Sequence, residues 1–280
     1  MSSLEVFNPA ALRAALVGTR FPARLHHFPS AESTNTLLLE AAANGAPEGT
    51  LYLADAQTVG RGRGGHSWHS APGDGLYVSV LAKPSLQLRE ALWISLATAL
   101  AVQSAIKSTT GLSIDLRWPN DLLFAGKKLG GILVEAAVEP DADATLRYAV
   151  IGIGININHE SFPPELTSLA TSLRLATGHE QSRNTLLIAL LRALDFELTQ
   201  LEAEQPELPA QQSGILAQQS GILERFSAAS TWVRGKRVRV PEQGGYCGIT
   251  AGLNAHGYLL VDADDGTQRT VLSGGVRDEG

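Results

Sequence analysis

The chain has 280 residues, 44% of them apolar and 18% charged, which is the make-up of a folded globular protein with room for one large domain and a small one. Its formal net charge of −6 offers no basic field for nucleic acid or an anionic membrane surface. A single cysteine, Cys247, excludes an intrachain disulfide and a cysteine-based zinc site, and it fits a reducing compartment.

The segment Met1–Glu5 shows no positive run followed by an apolar one, so no signal peptide is expected. Residues 4–17 read as a short helix ending at Gly18, and His26–Pro29 as a first strand. Ser33, Thr34 and Asn35 are all N-cap types, and the helix after them closes at Asn44-Gly45. Thr50–Ala54 is a strand, residues 57–75 a glycine-rich loop without apolar period, and Leu76–Leu81 a strand. Leu88–Thr109 reads as a helix stopped at Gly111; its apolar core, Ala91–Ile106, is too short and too interrupted by polar residues to span a bilayer and is expected to be buried. Strands follow at Ile114–Trp118, Leu122–Phe124, Gly131–Val138 and Arg147–Ile157, two of them joined by a hairpin turn at Ala125-Gly126. Asn184 caps a helix with leucines at 187, 190, 191, 194, 198 and 201. The tandem seven-residue repeat at 211–224 reads as a small insertion by duplication in a loop or helix. After Trp232 short strands with glycine turns suggest a small β-barrel.

Four segments bear on chemistry. Gly60-Arg61-Gly62-Arg63-Gly64-Gly65-His66-Ser67-Trp68 matches a dinucleotide fingerprint at Gly60, Gly62 and Gly65, but a turn follows where that motif needs a helix, so the reading is rejected. The alternatives are a solvated arginine-glycine loop, or a backbone that closes over a small anion with Arg61 and Arg63 as its counter-charges. Such a loop has no apolar anchor before Trp68 and is expected to be mobile without a ligand. Arg117-Trp118-Pro119-Asn120-Asp121 ends a strand in a turn. Lys127-Lys128-Leu129-Gly130-Gly131-Ile132-Leu133-Val134-Glu135 brings a lysine into an apolar strand, unless that lysine is a solvated hairpin residue. Gly152-Ile153-Gly154-Ile155-Asn156 leaves one strand face bare, for a flat ligand or for another strand.

In this order, the four segments resemble biotin protein ligases, over about residues 26–178 and more loosely to the C-terminus. The resemblance implies an α+β fold: a mixed β-sheet with helices, related to lipoate-attaching enzymes, in a catalytic domain over 1–230, and an SH3-like β-barrel over 231–280. It implies an enzyme that activates biotin with ATP as biotinyl-5'-AMP and passes the biotinyl group to a lysine of a biotin carboxyl carrier protein. Magnesium comes with ATP, no cofactor is covalently bound, and the compartment is the cytoplasm. By carry-over, Ser33, Thr34, Asn35, Gln57, Arg61 and Gly131 bind biotin, and Arg61, Arg63, Trp68, Asn120, Lys128 and Asn156 bind the adenylate. Lys128 and Arg63 carry the catalysis, and Asp121 helps through magnesium.

The chain departs from the family pattern at His66, where arginine is common, at Arg117, where lysine is common, and at Ser273–Arg277, which lacks a glutamate after glycine. No enzyme nucleophile is evident, and joining a carboxylate to a phosphate calls for cations rather than for one. Three rivals stay open: lipoate attachment, a biotin-sensing DNA repressor and a non-catalytic binding module. About 25 residues precede the first core strand, too few for a winged helix, so no DNA partner and no membrane partner are expected. The reading leaves room for a homodimer.

Overall fold

The structure, a computed structural model, describes Glu5 and residues 7–21, 24–140, 144–203, 220–242, 244–273 and 275–279. The first repeat copy, at 211–217, lies outside them, and the second enters a helix at Ser220.

A seven-stranded sheet forms the larger unit: β1 (Arg24–Phe28), β2 (Thr50–Ala54), β3 (Gly75–Ala82), β4 (Asp115–Arg117), β5 (Asp121–Phe124), β6 (Lys127–Val138) and β7 (Leu146–Asn156). Its order is β1-β2-β3-β7-β6-β5-β4, with β1 and β2 parallel and every other pair antiparallel, so the sheet is mixed as expected. Against one face lie α3 (Ala91–Thr110) and α5 (Arg183–Ala203), with α1 (Pro9–Ala15) at the margin; α2 (Thr34–Ala43) covers part of the other face. A short α4 (Leu173–Thr177) and α6 (Ser220–Ala229) complete the described helices. The segment Leu88–Thr110 is, by length and composition alone, apolar enough to cross a membrane; in the fold its α3 residues are the centre of the core.

Helix α1 is shorter than the 4–17 read from sequence. Pro9 has no N–H to give an interior turn, and the Asn8 side chain accepts from Ala10 N and Ala11 N, so the helix begins there. Helix α5 starts at Arg183; the Ser182 hydroxyl accepts from Thr185 N, so the cap is Ser182 and not Asn184, which lies inside the first turn.

Arg183 is 1% exposed. Its guanidinium donates to Asp55 Oδ1 (2.9 Å) and Glu5 O (2.6 Å) and lies 4.6 Å from the centre of the Phe7 ring. Replacing it by methionine leaves Asp55 Oδ1 and the Glu5 carbonyl without their donor beside an apolar chain, with only Asp55 Oδ2 still met, by His27 Nε2 at 2.9 Å. Urea denaturation of Arg183→Met is expected to show a loss of about 3 kcal/mol; a loss below about 1 kcal/mol, the scale of exposed pairs, would contradict this account.

A second sheet, antiparallel throughout, holds β8 (Arg234–Val240), β9 (Tyr246–Leu253), β10 (Leu259–Ala263), β11 (Gln268–Val271) and β12 (Arg277–Asp278) in the order β11-β10-β9-β8-β12. It is keyed to the larger unit at Gly257, whose carbonyl accepts from the indole N–H of buried Trp118 at 2.9 Å. Gly257 has φ +82°, and a Cβ there would stand 3.2 Å from Trp93 and from Leu96, so a side chain would be strained and tightly packed at this approach.

Candidate active site

Side chains of β3, β6 and β7 alternate between the α3/α5 core and the face that α2 covers. On β7 the α2 face runs Tyr148, Val150, Gly152, Gly154. The first two pack with Leu38 and Ala42 of α2. Past the N-terminal end of α2 the two glycines leave the sheet without side chains, and an open cleft forms there. Its neighbours in register are Ser79 and Leu133 beside Gly152, and Tyr77 and Gly131 beside Gly154. A Cβ on Gly152 would stand 2.5 Å from Asn35 Oδ1, and one on Gly154 would stand 2.7 Å from the Trp68 indole. The bare strand face is thus covered by this chain's own Asn35 and Trp68, an outcome between the two readings of its glycines.

One end of the cleft is a connected hydrogen-bond set. Thr34 N and Oγ1 donate to Gln57 Oε1 (2.9 and 3.2 Å), and Gln57 Nε2 donates to Ser70 Oγ (3.0 Å). The Ser79 hydroxyl stands 2.8 Å from Thr34 Oγ1 and 3.0 Å from Asn35 Oδ1. Asn35 Nδ2 donates to Glu135 Oε2 at 2.7 Å. Ser33 caps α2, its hydroxyl accepting from Thr36 N. Arg61 forks onto the same Glu135, at 2.7 Å to Oε1 and 3.1 Å to Oε2, and reaches Thr36 Oγ1 at 3.3 Å.

The other end is cationic. Lys128 Nζ lies 2.5 Å from Asp121 Oδ1 and 5.6 Å from the Trp68 ring centre. Arg117 Nη2 and Nε hold the second oxygen of Asp121 at 2.6 and 3.1 Å. Burial alone would raise the Asp121 carboxyl; Lys128 and Arg117 more than reverse that and hold it below the usual carboxylate range. The backbone of Lys128 is clamped, with its N–H on Leu169 O (2.7 Å) and its carbonyl accepting from Thr171 N (3.0 Å). Arg63 is half-buried, and its guanidinium has no hydrogen bond or ion pair among the described residues, its backbone carbonyl accepting from His66 N. Burial draws its guanidinium below its ordinary value, against the opposing fields of Glu242 from the small sheet and Asp121.

Of the residues singled out in sequence, Ser33, Thr34, Asn35, Gln57, Arg61, Arg63, Trp68, Asn120, Lys128 and Gly131 all line this cleft. Asp121 stands behind Lys128. Asn156 is buried on the same face of β7 as Gly152 and Gly154 but does not line the cleft; it donates to Thr171 O (3.0 Å) and Lys128 O (3.5 Å), contacts that steady the lysine's backbone. Arg61 meets Glu135 where an anion was expected. His66 is exposed on the loop, and its carbonyl accepts from Gly62 N. Lys127 turns its ammonium to Thr167 O (3.2 Å).

The loop carries polar anchors of its own, which its lack of an apolar one did not suggest. Trp68 N donates to Gly60 O (2.8 Å), Arg61 bridges Ser67, and Gly64 and Gly65 take the positive φ of its tight turn. Sequence reasoning missed Tyr77, Ser79 and Glu135. The available signal was polarity on the apolar strand β3, and the glutamate that closes the Lys127–Glu135 segment.

Among the described residues no three His, Cys, Asp or Glu side chains gather as a metal cage. Both oxygens of Asp121 are already held by cations, so these residues do not fit a resident magnesium ion.

Residues 27–156 match the profile of the Biotin/lipoate A/B protein ligase family, and residues 234–276 match that of the Biotin protein ligase C terminal domain. The Bifunctional ligase/repressor BirA of Bacillus spizizenii is 44% identical over 153 residues, 54% of this chain and 46% of that protein, so the chain spans about half the length of this relative. The Biotin--[acetyl-CoA-carboxylase] ligase of Mycobacterium tuberculosis is 32% identical over 250 residues, 87% of this chain and 84% of that one. The biotin protein ligase from Aquifex aeolicus, solved in complex with biotin and ATP, superposes with a TM-score of 0.72 at 28% identity, covering 91% of this chain and 97% of that one. The chain belongs to the biotin protein ligase family.

Proposed function

We propose that this chain is an ATP-dependent biotin protein ligase that acts in the cytoplasm on a lysine of a biotin carboxyl carrier protein. The observation that carries the reading is the polarity of one cleft: an uncharged hydrogen-bonding end at Thr34, Asn35, Gln57 and Ser79, and a cationic end at Lys128 and Arg63. Biotin has the matching shape, a neutral cyclic urea joined by an apolar arm to a carboxylate. Trp68 lies between the two ends as the wall for that arm.

In the first step an oxygen of the biotin carboxylate attacks the α-phosphorus of ATP, the bond to the bridging oxygen breaks, and pyrophosphate leaves with its electron pair. Two anions meet in that transition state. Lys128 and Arg63 lower the barrier because their contact strengthens as negative charge gathers on the phosphoryl oxygens. Asp121 and Arg117 keep the lysine aimed, and Asn156 holds its backbone. Magnesium would arrive with ATP as part of the nucleotide substrate, where it would supply charge neutralisation to the phosphates. In the second step the carrier lysine amine, as the free base, attacks the acyl carbon; the amide forms, AMP leaves, and the amine proton passes to solvent. The glycine loop and Trp68 shelter the mixed anhydride from water.

The test is mass spectrometry of a purified biotin carrier domain after incubation with this protein, biotin and Mg-ATP. One biotinyl group per carrier is expected. An unmodified carrier with a folded enzyme sample would overturn the reading.

A further inference from the structure

Glu135 stands where three elements meet, the N-terminal end of α2, the glycine loop and β6, and it touches no residue of the cationic end in the hydrogen bonds described above. An ionised carboxylate only accepts hydrogen bonds. Asn35 must therefore turn its Nδ2 to Glu135 and its Oδ1 to Ser79, which donates. The amide of asparagine has nearly the same shape when flipped, so without Glu135 nothing on the sheet decides which of its two polar atoms faces the serine.

The second partner is Arg61, at the base of the loop hairpin. The pair is half-exposed, 40% on the arginine side chain and 27% on the glutamate, so it adds little to the stability of the fold. Its effect is on geometry and charge. It ties the loop to the sheet, and it leaves the inner end of the cleft with no net cation. Positive charge is then confined to Lys128 and Arg63. A substrate with a neutral ring at one end and a carboxylate at the other can enter in only one sense. Freed from Glu135, Arg61 would become a second carboxylate site at the wrong end.

Resting on the ligase reading above, we propose that Glu135 is a positioning residue that sets the direction of substrate entry, through the amide of Asn35 and the charge of Arg61.

Three variants test this: Glu135→Gln, Arg61→Gln and the two combined. For Glu135→Gln the KM for biotin in adenylate formation is expected to rise about tenfold or more, the scale of one lost charge-assisted hydrogen bond, while kcat stays within about threefold because the cationic end is untouched. The double variant is expected to be no worse than Glu135→Gln alone, since both changes break one contact set. In the ligand-free protein, hydrogen exchange of the peptide spanning 57–70 is expected to quicken in all three. That readout needs no biotin, so it separates failure of this proposal from failure of the ligase reading. Multiplying effects in the double variant, a fall in kcat at unchanged KM, or unaltered exchange would each overturn the proposal. If Glu135→Gln does not fold, Arg61→Gln alone carries the exchange test.

Discussion

Lys128→Ala is expected to slow adenylate formation by about 10²–10³-fold, the usual cost of removing one preorganised donor from a charge-gathering transition state. Biotin affinity is expected to stay within about threefold, because the ring end of the cleft, at Thr34, Asn35 and Gln57, makes no contact with this lysine. The lysine side chain is 37% exposed, so its ion pair with Asp121 contributes little to stability after solvent screening, and the fold should survive with Arg117 still holding the carboxylate. Single-turnover release of pyrophosphate measures the rate, and calorimetry the affinity. The adjacent Lys127 is the internal control: its ammonium is bonded to Thr167 O, outside the cleft, and Lys127→Ala should leave the rate near that of the parent. A rate within threefold of the parent for Lys128→Ala would remove this residue from the chemistry.

Gly154→Val is expected to reduce turnover by about 10²-fold while the protein still folds. The new Cβ would fall 2.7 Å from Cε2 and Nε1 of Trp68, atoms of a rigid ring that cannot give way as the tip of a flexible chain does. The indole must leave the bare strand, and it is the wall between the two ends of the cleft. A displacement of about 1 Å at a positioning group is enough to cost 10²-fold. Valine itself suits a strand, so the stability loss is expected to be the ordinary overpacking figure of about 1–3 kcal/mol. The decisive comparison adds Trp68→Ala. If the glycine acts only by making room for the ring, Gly154→Val should cost nothing further in a Trp68→Ala background. A further loss of tenfold or more there would show that the strand face has another role.

The residues that line the cleft were legible where they sit in short local segments. Glycine spacing, the Trp118-Pro119-Asn120-Asp121 turn and the paired lysines each advertise a constraint that a few neighbouring residues impose. The sheet order was legible only in outline, because alternating apolar residues say that a strand has two faces and not which strand lies beside it. What could not be read were partnerships across the chain. Asn35 and Glu135 are separated by 100 positions, and Arg61 and Glu135 by 74. No local pattern in the loop reveals that its arginine is already met, which is why the sequence suggested an unanchored segment. Asn156 and Asp121 were found as polar residues of the right motifs, but not their partners: one donates to the carbonyls of Thr171 and Lys128, and the other is held between Lys128 and Arg117. The start of α1 was the reverse case: the Asn8-Pro9 pair was in plain view and marks the helix start better than the apolar run around it.

The indole of Trp118, fastened to the Gly257 carbonyl, bears on how interchangeable the two sheets are. The tryptophan belongs to a segment otherwise read for its chemistry, and its acceptor belongs to the C-terminal sheet. Grafting a foreign tail onto this chain would strand a buried N–H, at a cost of about 1–3 kcal/mol, unless the graft presented a carbonyl at the same point. It would also need a residue without a side chain there, against Trp93 and Leu96. The tail therefore behaves as a keyed part: a chimera keeps its seat only when the tryptophan, its apolar floor and the receiving glycine travel as a set.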